Sequence, residues 1–139
     1  MNIYLGGFGG GLSTKTTIYG NIPELKPAQF FLKLTSISRP TQFFVFLDMR
    51  QDSVDVGNFA TATSGYPDQP QLHKLLDLPG FYHGRAGGFS FADGHSEIKK
   101  WRDARTMKPL NPSGTVRDDY PSPRNQDIAW LQENALRLK

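Results

Sequence analysis

Apolar and polar residues alternate most clearly between Gly88 and Trp101, and that stretch predicts a β-hairpin. Gly88-Phe89-Ser90-Phe91-Ala92 runs out, Asp93-Gly94 supplies a two-residue turn, and His95-Ser96-Glu97-Ile98-Lys99-Lys100-Trp101 returns. Asp-Gly suits a type I′ turn, whose two central residues both take positive φ. Pairing across it sets Phe91 against Ser96 and Phe89 against Ile98 on one face. Ser90, Ala92, His95, Glu97 and Trp101 then occupy the other face. A single bulged residue would exchange the two.

Elsewhere the pattern is plainer. Gln42-Phe-Phe-Val-Phe-Leu-Asp48 is apolar on both faces and predicts a central strand. From Asn125 to Lys139, Ile128, Leu131, Ala135 and Leu138 recur at helical spacing and predict a core-facing stripe. Asn125 can cap that helix, Asp127 lies near its positive end, and Arg137 and Lys139 lie near its negative end. Ala28 to Ser36 fits a short helix or a strand equally, and Arg39-Pro40 ends it. Two stretches, 52–71 and 102–124, are rich in turn residues and prolines (Pro109, Pro112, Pro121, Pro123) and predict long loops. Pro23 and Pro27 bracket another turn. After Ile3-Tyr4-Leu5, five glycines in the six positions 6–11 cost too much backbone entropy for a helix or a strand interior. The fold these elements make is α+β. A small antiparallel sheet has the Asp93-Gly94 hairpin at its centre, with long loops and a C-terminal helix in a single globular domain over 1–139.

Composition narrows the functions. A chain of 139 residues can bury a real core, and 14 Gly with 10 Pro argue against a helix bundle. No cysteine is present, which removes disulfides, thiolate zinc sites, iron–sulfur clusters and cysteine nucleophiles. No apolar run approaches 18 residues, so no membrane segment is expected in this chain. Met1-Asn-Ile-Tyr-Leu carries no signal-peptide pattern. The net charge of +3 favours anionic partners only where positive groups cluster.

Several residue groups invite chemistry. The glycine run lacks the Gly-Lys-Ser/Thr of a phosphate loop, since Lys15 follows Thr14, and the third glycine of a dinucleotide fingerprint is replaced by Leu12. Gly88-Phe-Ser90-Phe-Ala92 superficially resembles a hydrolase elbow, but Ser90 lies inside an alternating strand rather than at a strand-to-helix turn. His83, Asp93 and His95, with His73, carry ligand types suited to zinc, at spacings no established zinc pattern uses. Asp48, Asp52, Asp55 and Asn58 could offer oxygens to calcium without the EF-hand spacing. Neither ion is required, and no cofactor is expected. Lys99, Lys100, Arg102, Arg105 and Lys108, with Trp101 among them, form a basic stripe at 99–108. It could hold an anion or nucleic acid, or serve as a solvated edge strand guarded by lysines.

His83-Gly-Arg-Ala-Gly-Gly-Phe-Ser-Phe-Ala-Asp93-Gly94 places nine residues between the histidine and the Asp-Gly pair. This resembles the processing-associated C-terminal domain of prepilin-like proteins, a planctomycete and verrucomicrobial group similar to type II secretion pseudopilins. Arg39-Pro40-Thr41 running into Phe46-Leu47-Asp48 resembles the group's proline-then-strand-then-Asp signature. Asp127-Ile-Ala-Trp-Leu-Gln-Glu133 resembles a frequent C-terminal element, and Met1-Asn2 before Leu5-Gly6-Gly7 is similar to an internal stretch. The resemblance implies a pilin-like head domain, non-enzymatic, exported to the periplasm or cell surface. It would assemble with other pilin-like subunits through an N-terminal helix that this sequence lacks. Phe89, Phe91 and Ile98 are then candidates for an apolar sheet face that such a helix would cover.

Overall fold

The computed structural model describes residues 1–5, 25, 28–54, 57–111 and 120–138. The glycine run, Lys15, Pro23, Pro27, Asp55 and Pro112 lie outside the described residues. Among the described residues five strands, β1 (Phe44–Leu47), β2 (Lys74–Leu75), β3 (Ala86–Phe91), β4 (Ser96–Lys100) and β5 (Tyr120–Pro121), precede one α-helix, α1 (Gln126–Ala135). β1, β3 and β4 form an antiparallel sheet in the order β1-β3-β4, and β2 pairs antiparallel with β5. The fold is α+β, with the hairpin's first strand in the middle of the larger sheet. Among the described residues no helix is long and apolar enough to cross a membrane.

β1 is therefore an edge strand and not the central one expected. Its apolar run on both faces has a local cause, a register irregularity between Phe44 and Phe46. Phe44 packs inward against Phe89 and Phe59, with ring centroids 5.3 and 6.2 Å away. Phe46 points outward and is 57% exposed.

The hairpin closes differently from the expected type I′ turn. Gly94 N–H donates to the Phe91 carbonyl (3.0 Å) and Phe91 N–H to the His95 carbonyl (2.9 Å), so Ala92, Asp93 and Gly94 make a three-residue turn. Only Gly94 takes positive φ (97°), as a turn ending in a left-handed bulge residue requires. The Asp93 carboxylate accepts the His95 N–H at 3.2 Å and braces the turn. One extra turn residue slides the register, pairing Gly88 with Ile98, Phe89 with Glu97 and Ser90 with Ser96. The faces of β4 are thereby exchanged.

The physical reason lies at the end of β4. With the shift, Trp101 turns inward and Ile98 turns out, 64% exposed. An indole buries more apolar area than an isoleucine side chain, and the Trp101 Nε1–H finds the Gly80 carbonyl at 2.8 Å. Phe89 sits among Phe44, Trp101 and Trp130, with centroids 5.3, 5.9 and 4.9 Å away. Phe89 and Phe91 are thus covered by the chain's own elements, Trp130 of α1 among them. On the opposite face of this sheet Ile98 and Phe46 are left open.

α1 begins as the sequence predicts. Asn125 Oδ1 accepts the Asp127 N–H at 2.8 Å, and Ile128, Leu131 and Ala135 are buried. It stops before Leu138, which is exposed and bridges instead to Ala28. Arg137 donates to the Glu133 and Leu136 carbonyls, satisfying acceptors that the ending helix leaves free. Ala28 to Ser36 is neither helix nor strand. It makes isolated bridges at Ala28 and Phe31, then a 3-10 turn at Leu34–Ser36. Asn2, Ile3 and Tyr4 run through the core, where the Asn2 amide donates to the Phe44 carbonyl at 2.9 Å and the Ala135 carbonyl at 3.5 Å.

Candidate functional site

The His-nine-Asp-Gly motif spans β3, and the structure holds its two ends apart. His83 lies before the strand and Asp93 after it, and six strand residues span roughly 20 Å. His83 Nε2 lies 3.1 Å from Asp48 Oδ2, and the same oxygen accepts the Gly88 N–H at 2.9 Å. A Cβ at Gly88 would stand 3.1 Å from that oxygen, close enough that the Asp48 carboxylate would have to shift. At the other end, His95 Nδ1 lies 2.6 Å from Asp93 Oδ1, with the imidazole stacked on Phe91 at 4.3 Å. The His95 hydrogen bond holds the Asp93 carboxyl below its ordinary pKa. His83 therefore does not meet Asp93 and His95 on one ion. His73 is buried elsewhere, its Nδ1 3.2 Å from the Asn125 carbonyl, and burial lowers its pKa. Among the described residues no group of three or more His, Asp and Glu side chains could hold a metal.

The acidic loop is likewise divided. Asp48 serves His83, while Asp52 is the counter-ion of Arg50, a fully buried guanidinium. Arg50 Nε and Nη2 reach the two Asp52 oxygens at 2.8 and 2.5 Å, and its remaining donors reach the Lys108 and Pro109 carbonyls. Asn111 N–H adds a third bond to Asp52 at 2.7 Å. The Arg50 hydrogen bonds hold the Asp52 pKa down at about 2. This carboxylate is committed to structure and not open for calcium. Asn58 stands half-buried beyond it.

The basic stripe does not form one surface. Strand alternation sends Lys99 and Lys100 to opposite faces, and Lys99 Nζ lies 4.8 Å from the Trp130 ring. Lys108 Nζ lies 3.1 Å above the Tyr120 ring. Arg105 forks onto Asp103 at 2.9 and 2.6 Å. Lys100 and Arg102 stay exposed. Arg102 instead shares a cleft of about 270 Å³ with Arg124, Asp103 and Gln126. Both arginine backbones are pinned there. Arg102 N–H donates to the buried Asp127 carboxylate, and Arg124 N–H donates to the Pro70 carbonyl at 2.7 Å. Sequence reasoning missed Arg124, which lies 22 positions from Arg102 in a proline-rich stretch without periodicity. It also missed the Asp48–His83 and Arg50–Asp52 pairs, for which no local pattern exists.

Ser90 lies within β3, paired with Phe46 and Ser96. That is the strand position expected of it, without the sharp turn a hydrolase elbow needs. No protein-family model, no curated protein and no solved structure matches this chain.

Proposed function

We propose that this chain is the globular head of a pseudopilin-like subunit, a non-enzymatic assembly module of an exported secretion or surface-filament system. One observation carries the reading: the motif residues are spent on holding the central strand. His83 braces Asp48 against Gly88, and Asp93 with Gly94 closes the turn that sets the register. A reactive centre needs such groups brought together, whereas a recognition platform needs its sheet fixed. The outer face of that sheet presents Phe46 and Ile98 on either side of Ser90.

The first test is the coding sequence upstream of the Met1 codon, where an in-frame apolar segment of about 20 residues behind a short basic leader is expected. A stop codon there overturns the filament reading. Because the chain has no cysteine, Phe46→Cys and Ile98→Cys each give a unique thiol for crosslinking in the native host. The expected product is a ladder of crosslinked species.

A second reading, binding of an anion or nucleic acid, is favoured by the convergence of Arg102 and Arg124 on one cleft. Steeply salt-dependent DNA binding, lost on neutralising both arginines, would support it.

A further inference from the structure

A cleft of about 650 Å³ opens between the 3-10 turn at Pro40–Gln42, the Tyr66–Pro67 turn and the end of α1. That volume suits a small molecule. Its wall holds an unusual cation. All five N–H groups of Arg137 go to main-chain carbonyls: Nε to Ser38 (3.2 Å), Nη1 to Glu133 and Leu136 (3.0 and 2.5 Å), Nη2 to Arg39 and Gln42 (3.3 and 3.2 Å). The guanidinium is half-buried, 5.6 Å from the Phe43 ring, and no carboxylate of the described residues pairs with it. Burial, with a smaller contribution from Arg39, lowers its pKa. A fixed, partly desolvated positive charge without a counter-ion is costly, and an anion in the cleft would offset that cost.

Arg39 supplies what Arg137 cannot. Its left-handed backbone (φ 54°) places it on the same cleft, and its side chain has no hydrogen-bond or ion-pair partner among the described residues. Its fork is free to bind an oxyanion. Glu133 also lines the cleft, so two guanidinium charges face one carboxylate. That balance suits a singly charged ligand better than a phosphate dianion. Gln42, Tyr66 and Asn134 complete the lining with amides and a phenol, groups that pair with hydroxyls or amides. We propose that this cleft binds a small organic carboxylate bearing hydroxyl or amide groups, held by the Arg39 fork in the field of Arg137.

The test is the melting temperature of the full chain at constant ionic strength in sodium glucuronate, N-acetylglycine, glucose or sodium chloride. A saturable rise with a carboxylate, absent with glucose and chloride, is expected. Glucuronate alone would mark a sugar acid as the source, and N-acetylglycine alone a peptide end. Arg39→Gln should weaken binding by about 10–100-fold, and Arg102→Gln, on the other cleft, should leave it intact. Arg137 anchors five carbonyls, so replacing it disturbs the fold as well as the cleft, and Arg39 is the informative site. No saturable rise with either carboxylate overturns the proposal. So does an equal rise in chloride, or undiminished binding by Arg39→Gln.

Discussion

Asp127 shows how much one buried side chain can settle. Its carboxylate accepts the Arg102 N–H at 3.1 and 3.0 Å and the Asp103 N–H at 2.9 Å, so it ties the first turn of α1 to the end of the β4 segment. Replacing it with alanine leaves those donors without a partner, at about 1–3 kcal/mol for each. Urea denaturation of Asp127→Ala should show that loss. Arg50 and Asp52 make a second such knot, and breaking it from one side is expensive. Asp52→Asn strands a buried guanidinium and should cost roughly 3–5 kcal/mol. The pair also sets an acid limit. Because the Asp52 pKa falls from 3.8 to about 2 on folding, its contribution is complete above about pH 4 and is lost as pH falls toward 2. His73 acts at milder pH. Its lowered pKa means that the neutral ring is the folded form, so its contribution is complete above 6.5 and declines below it. An NMR titration should find the His73 imidazole still neutral somewhat below pH 6.5.

The hairpin is governed by one glycine and one tryptophan. Gly94 has open space around a would-be Cβ, so Gly94→Ala tests backbone strain alone and should cost about 1–2 kcal/mol. Ile98 tests the register. As an outward residue, Ile98→Thr should change the unfolding free energy by no more than about 0.5 kcal/mol. Phe89→Ala, inside the aromatic cluster, should cost about 3–5 kcal/mol. Equal costs at the two positions would restore the unshifted register. Both strands of this hairpin and α1 with its Asn125 cap were legible in the sequence, because each rests on neighbours in the chain, whereas β5, inside the stretch 102–124 read as loop, pairs with the distant β2 and was not. Nor was the turn length. Asp93-Gly94 satisfies a two-residue turn and a three-residue turn alike, and the choice depends on whether Trp101 or Ile98 is buried, a tertiary question. The edge position of β1 was hidden for a related reason, since a bulge and an exposed Phe46 imitate a strand buried on both sides. For the candidate site, the sequence named His83 and Asp93 but not what each would hold. Asp48 lies 35 positions before His83, beyond the reach of any local pattern.

The whole domain has two unlike sheet faces. The inner one is sealed by Trp101, Trp130 and the phenylalanines, while the outer one carries Phe46 and Ile98 without a cover. Subunit contacts and folding should therefore be separable. Phe46→Ser combined with Ile98→Thr, with the crosslinking thiol supplied by Ser96→Cys on the same face, should keep the wild-type melting temperature yet form no crosslinked ladder if that face joins neighbours. A lowered melting temperature would show instead that these side chains support the core.

The first described residues and the end of α1 meet in the interior. Asn2 joins β1 to the end of α1, and Gln29 N–H donates to the Arg137 carbonyl at 2.6 Å. The core cannot close before α1 has emerged from the ribosome. Until then the chain stays open, with contacts that are distant in sequence forming last and slowly. Under the export proposed above, that delay would be useful, because an unclosed chain can still be threaded through a translocation channel.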